Sequence, residues 1–333
     1  MSDDRTTNQI TDLARLLPAG PAPDLPADRL QILKEHLMVE YRLAAGNRRP
    51  TPQRRRARRP LLAAVGAGAL LAAAGAATAL VLVLSGGQPA PASPAAAELL
   101  AKVANAAAQQ PAPQVSNSEF MYIRSDVAYA DYLNGSQTPT TDPLHERQIW
   151  LPVANICDWG LVIEEGQRTS LAPSPGSSPA LSVKCGTGNL NNATYRLLQS
   201  LPTDPRTLLS QIYAFNQKNG EGQALGSDGE AFVTIGDLIR ETIVPPSTAA
   251  ALYRAAALIP GVTLIPHVTT VEGQPGIAIA WTSSQDRYEW IFDPATLQYV
   301  GERDYGMSIG KPVVTGNAAV LQRAFVSKAG QLP

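Results

Sequence analysis

The stretch Gly276-Ile-Ala-Ile-Ala-Trp-Thr282, the polar turn Ser283 to Asp286, and Arg287-Tyr-Glu-Trp-Ile-Phe292 before Asp293-Pro-Ala-Thr296 decide the fold class. Runs rich in β-branched and aromatic residues, separated by short polar turns, are the pattern of consecutive antiparallel strands. Tyr288, Trp290 and Phe292 recur with period two, so they share one face of a sheet. Upstream, Val262 to Ile265 and Val268 to Val271 read as further strands, with Gly273-Gln-Pro-Gly276 as a turn. Downstream, Asp293 to Thr296 turns the chain into a strand over Leu297 to Arg303. The whole is an antiparallel meander.

Helices precede the meander. Asp204 followed by Pro205 is an N-cap with proline in the first turn and opens a helix to about Lys218. Ser227-Asp-Gly-Glu230 has the form of a capping box and opens a helix through Ile243, closed by Pro245-Pro246. Ser247 starts a third helix through Tyr253 to Leu258, stopped by Pro260-Gly261. Before these, Glu119 to Ser125, Glu146 to Leu151 and Trp159 to Glu164 read as strands, and residues 166–180, rich in Ser, Pro and Gly, as a mobile loop. Strands and helices that do not alternate place residues 115–333 in the α+β class, as one domain.

The amino-terminal third reads differently. Leu61 to Leu84 contains no charge, and seven arginines lie between Asn47 and Pro60, just ahead of it. A helix of this length is about 36 Å long, enough to cross a bilayer core of about 30 Å. Arginines stay on the cytoplasmic side, and the next cation is Lys102, so the amino terminus is expected inside and the C-terminal domain outside. A soluble alanine-rich helix and a cleaved signal peptide are the alternatives. The one-sided arginines argue against the first, and the 60 residues before the run argue against the second. Gly68 with Ala72, and Gly75 with Ala79, are small-residue pairs that permit close helix approach.

Five segments follow: a short cytoplasmic helical segment (1–47), a basic juxtamembrane run (48–60), a transmembrane helix (61–84), a linker with an Ala-rich helix from Pro94 (85–114), and an extracytoplasmic domain (115–333). In the first segment Leu13, Leu16 and Leu17, then Leu30, Leu33 and Leu37, form apolar stripes at helical spacing. So short a segment buries little core alone, which leaves a helical hairpin or a docking site for a cytoplasmic protein as its readings.

Residues 1–60 hold 12 Lys/Arg against 7 Asp/Glu, and residues 61–333 hold 15 against 21. The basic excess is the arginine run, a topology signal and an anionic-lipid contact. No zinc spacing or aromatic-interleaved basic motif points to nucleic acid. The two cysteines, Cys157 and Cys185, fall on the expected outer side, where disulfides persist, and a bond between them closes a loop of about 29 residues. Two free thiols are the alternative.

Chemistry-bearing patterns are sparse. Gly306-Met-Ser308-Ile-Gly310 has the Gly-x-Ser-x-Gly form, but no His, Asp or Glu follows Ser308, and His145 and His267 precede it. His145-Glu146 lacks the second histidine of a zinc site. No phosphate-binding glycine loop occurs. The chain is therefore expected to be no enzyme, with no cofactor and no metal. For Tyr288, Trp290 and Phe292, a sheet core packed under helices is one reading and an apolar ligand groove is the other.

The segments Leu13-Ala-Arg-Leu-Leu-Pro18, Arg29-Leu-Gln-Ile-Leu-Lys34, the arginine run with its span, Ala231 to Glu241, Ala251 to Gly261 and Ile291-Phe-Asp-Pro-Ala-Thr296 together resemble an actinobacterial family of single-pass membrane proteins. That family has no characterised function, and its members are often encoded beside extracytoplasmic-function sigma factors. The resemblance implies a role in envelope sensing or sigma-factor control. It supplies no catalytic residues. The His…Cys-x-x-Cys motif of zinc-type anti-sigma factors is absent, since no cysteine precedes Cys157. The helices and meander also look like the half-barrels of periplasmic lipoprotein carriers, an analogy at the level of fold alone. Two functions are expected from this reading: a membrane-anchored sensor or regulator that meets a cytoplasmic partner, or an extracytoplasmic module that binds lipid or another apolar ligand.

Overall fold

The computed structural model describes residues 91–131, 139–172, 185–219 and 225–333. The expected cytoplasmic helices with Leu13, Leu16, Leu17, Leu30, Leu33 and Leu37, the arginine run, the span over 61–84 and most of the 166–180 loop lie outside the described residues. Among the described residues no helix is long and apolar enough to cross a membrane.

The class is α+β. Helix α1 (Pro94–Ala108) comes first, then strands β1 (Phe120–Asp131), β2 (Thr140–Thr141), β3 (His145–Pro152), β4 (Leu161–Glu164) and β5 (Gln167–Ser170). Helices α2 (Tyr195–Ser200), α3 (Pro205–Lys218), α4 (Gly226–Glu241) and α5 (Pro246–Ala256) follow. The chain ends in β6 (Thr263–Thr269), β7 (Pro275–Thr282), β8 (Arg287–Phe292), β9 (Tyr299–Ser308) and β10 (Lys311–Val326). One antiparallel sheet runs β5-β4-β3-β1-β10-β9-β8-β7-β6, with β2 paired to the end of β1.

Local chemistry explains most of the boundaries. Ser93 caps α1 by accepting from Ala96 N at 3.2 Å, and Asp204 caps α3 by accepting from Thr207 N at 2.9 Å. Two expectations, on Ser227 and on residues 167–170, are corrected. Ser227 is not a cap: Gly226, at φ +74°, turns the chain into α4 one residue earlier, and Ser227 falls in the first turn. Residues 167–170, expected in a mobile loop, pair with β4 as β5. Ser308 sits at the end of β9, where Ile309 and Gly310 form a two-residue hairpin loop with φ 48° and 71°. Both signs are positive, as a type I′ hairpin requires, so Gly306 to Gly310 is a strand-to-strand turn and no nucleophile elbow.

The helices cover one face of the sheet. Leu100, Val103, Leu208, Ile212, Phe232, Ile235, Leu252 and Ile259 meet Ile279, Trp290 and Phe292 in the principal core. Helix α4 lies unusually close to the strands. A Cβ on Gly236 would stand 2.5 Å from Trp290 Nε1, and one on Gly229 would stand 2.5 Å from the Trp281 ring. These glycines are two helical turns apart on one face, and Phe232 between them stacks on Trp290 with ring centroids 3.9 Å apart. A smaller cluster, Met121, Ile123, Ile149, Val153, Val162 and Tyr195, fills the same face under β1, β3 and β4. On the other face the C-terminal residues fold back over Tyr122 and Trp150, whose Nε1 donates to Gln331 O at 2.7 Å.

The disulfide joins Cys157 and Cys185, as the sequence suggested. Asn155 Oδ1 accepts from both Cys157 N (3.0 Å) and Gly186 N (3.2 Å), so the two ends of the staple share one acceptor.

Candidate functional site

Two polar constellations stand on opposite faces of the sheet. The first lies under the C-terminal end of α4. Arg240 Nη1 is 2.6 Å from Glu302 Oε1, and its Nη2 is 3.0 Å from Asp237 and 3.2 Å from Glu241. Glu241 then meets Arg147 at 3.1 Å, Arg147 meets Glu164 at 3.4 Å, and Glu164 accepts the His145 ring at 2.8 Å. A chain of alternating charges thus runs from β9 through α4 to β3 and β4. Burial opposes the Glu241 carboxylate, yet Arg147 and Arg240 outweigh it and hold its pKa down. Asp304 is the counter-example: burial, reinforced by Glu302, pushes its pKa well up against the pull of Arg240. Every cation here is committed to carboxylates, so the constellation welds α4 to the sheet.

His145 belongs to that weld. Its Nδ1 pairs with Pro143 O at 2.8 Å and its Nε2 with Glu164. Burial lowers its pKa, but the Glu164 contact and the Pro143 carbonyl overcome this and raise it. Among the described residues no group of three or more His, Cys, Asp and Glu is placed to hold a metal ion.

The second constellation lies on the face opposite the helices. There β7 presents Gly276, Ala278 and Ala280, with Thr282 at its end, because Ile277, Ile279 and Trp281 point to the helices. A strand without bulk on one face leaves a trough between its neighbours. The trough is a cavity of about 380 Å³, lined by Ile265, His267, Val268 and Thr269 of β6, Arg287 and Glu289 of β8, and Arg303 and Tyr305 of β9. β6 carries an extra residue between Ile265 and Val268, at Pro266-His267, and such a bulge re-aims a strand. Its far end then reaches across the trough, where Arg303 donates to Thr269 O.

Charges are densest on the floor. Glu289 is 2% exposed, and Arg287 Nε lies 2.8 Å from its Oε1, an ion pair whose geometry falls short of a hydrogen bond. Its Oε2 is buried and accepts no hydrogen bond. Arg287 also packs over Tyr305, its guanidinium carbon 4.0 Å from the ring centroid. Burial raises the Glu289 pKa, while Arg287 and Arg303 oppose the rise.

The sequence-derived groove residues sit on the other face. Trp290 and Phe292 are buried at 2% and 0% exposure under α4 and α5, and Tyr288 packs at the margin of the same core. Phe232 and Tyr253 occupy the space against their rings. The trough residues Arg287 and Glu289 are the alternate positions of the same run, Arg287-Tyr-Glu-Trp-Ile-Phe292. A charge at every second position, opposite a strand of Gly and Ala, was the available signal. Arg303 and His267 carried none, because their meeting depends on strand order and on the bulge in β6.

No protein-family model and no curated protein matches the chain. Among solved structures it is similar to the crystal structure of MucB, with a TM-score of 0.24 and 12% identity over 73% of this chain and 62% of that one. The chain thus spans about 62% of the length of that structure. Similarity at this level carries no argument about ligand or partner.

Proposed function

We propose that this chain is a non-enzymatic, membrane-anchored sensor or regulator of the cell envelope. Its α+β domain is a binding module outside the membrane. Its amino-terminal segment meets a cytoplasmic protein, for which an extracytoplasmic-function sigma factor is the candidate. The observation that carries the reading is the trough over β6–β9, a charged cavity floored by a carboxylate with an unpartnered oxygen, in a domain preceded by an arginine-flanked apolar run. His145 and Ser308 favour binding over catalysis as well. His145 is held by Glu164 and Pro143, and Ser308 stands on a hairpin tip without a histidine after it in the chain. The apolar-ligand reading has less support, since Trp290 and Phe292 are packed under helices.

The test uses the full chain in lipid nanodiscs and the sigma factor encoded nearest to its gene. Saturable binding is expected, with loss of binding when Leu33 and Leu37 are both changed to Asp. No binding by the unaltered chain overturns the cytoplasmic half of the proposal.

A further inference from the structure

We propose that the trough over β6–β9 is a binding site for a small zwitterion with an apolar side chain, either a free amino acid or a short peptide. The inference deepens the reading of the outer domain as a binding module and names the class of signal it takes. Four features argue for it. Glu289 lines the cavity, and its Oε2 is a buried acceptor with no hydrogen-bond partner. A carboxylate oxygen withdrawn from water and left unpaired is costly, and a ligand ammonium group supplies both the opposite charge and the donors. Arg303, directly across the ladder from Glu289, lines the β9 wall, with exposed His267 on the β6 wall. Arg287 is already engaged by Glu289 and the Tyr305 ring, whereas Arg303 donates to the neutral Thr269 carbonyl and keeps further N–H donors with which to receive a ligand carboxylate.

The remaining wall sets size and side chain. Ile265 and Val268 contribute apolar surface beside the charges. A cavity of about 380 Å³ stands at the small end of the range for ligand pockets, about 300–1,000 Å³. It is large enough for an amino acid or dipeptide.

Isothermal titration of the full chain in nanodiscs tests this with matched probes. Leucine and the dipeptide Leu-Leu carry both charges. 4-Methylpentanoate lacks the amine of leucine, and 3-methylbutylamine lacks its carboxylate. Saturable binding of leucine or Leu-Leu is expected, with each half-molecule weaker by about tenfold or more. The relative affinities of leucine and the dipeptide decide which source the site prefers. Glu289→Gln is expected to weaken leucine by about tenfold while leaving 4-methylpentanoate unchanged, and Arg303→Gln to weaken leucine by about tenfold while leaving 3-methylbutylamine unchanged. The comparison among probes on the unaltered chain stands even if a variant fails to fold. The proposal is overturned if neither zwitterion binds, if either half-molecule binds as tightly as leucine, or if folded Glu289→Gln and Arg303→Gln both bind leucine normally. Titration reads binding at the domain itself, so its failure leaves the sigma-factor contact standing, and failure of that contact leaves the site standing.

Discussion

Asp304 lies opposite Gly316 in the β9–β10 ladder, and a Cβ on that glycine would come within 2.8 Å of its Oδ2. The glycine makes room for a carboxyl group whose pKa is pushed well up by burial and by the neighbouring Glu302, Asp237 and Glu289, against the pull of Arg240. A folded-state pKa above the unfolded value of about 3.9 means that the folded state binds the proton more tightly. The associated stability is present at low pH and is lost as pH rises from about 4 through the folded value. Asp304→Asn fixes the neutral form. Its urea midpoint is expected to match that of the parent at pH 4 and to exceed it at pH 8; equal gaps at both pH values would contradict the argument. Arg240 illustrates the opposite case. Arg240→Met strands Glu302 and is expected to cost about 3–5 kcal/mol, whereas Arg240→Met combined with Glu302→Met recovers most of the loss. A double-mutant cycle by urea denaturation measures this, and strict additivity would show the pair to be uncoupled.

Strand β10 determines more of the architecture than any other element. It pairs with β1 on one side and β9 on the other, so it joins the four-strand N-terminal part of the sheet to the meander. It also carries two extra residues: the β9 register skips Thr315 and the β1 register skips Leu321. At its hairpin tip Ile309 is a β-branched residue at φ 48°, 73% exposed. A bulky residue in this region costs on the order of 1 kcal/mol, and Asn tolerates it. Ile309→Asn is expected to raise stability by about 1 kcal/mol, read as a higher melting temperature. At the other end of β10 the chain covers Tyr122 and Trp150. Removal of residues 327–333 takes away the Gln331 acceptor and uncovers part of both rings. A loss of about 2–4 kcal/mol is expected from the exposed aromatic surface and the lost hydrogen bond, with a red shift in tryptophan emission as its optical sign.

The domain as a whole is held by a helix-covered core on one face, a charge chain across that core, and one covalent staple. The staple joins residues 28 apart, and its reduction, or Cys157→Ala with Cys185→Ala, is expected to lower stability by about 2–4 kcal/mol, measured by urea denaturation with and without reductant. Much of this order was legible along the chain. Asp204-Pro205 marked the start of α3 because a cap and a proline act within one turn. Tyr288, Trp290 and Phe292 marked a shared face because strand geometry alternates side chains whatever the fold. β10 was not legible, because each bulge shifts the period-two pattern by one residue and the strand never shows a clean alternation. β5 was hidden by its polar composition, since an edge strand of Gln-Arg-Thr-Ser has no apolar face to bury. The trough was hidden for another reason: Glu289 and Arg303 meet His267 only after β7, β8 and β9 are set side by side. The sequence by itself determined the starts of α1 and α3, the strand faces, the cysteine pair and the α+β class, all products of interactions within a few residues or of cysteine count. Tertiary structure alone decided which face the helices cover, that β10 unites the sheet, and that a cavity-lining carboxylate is buried with one oxygen unpartnered. Those properties depend on contacts between residues far apart in the chain, where burial sets the energy of every charge.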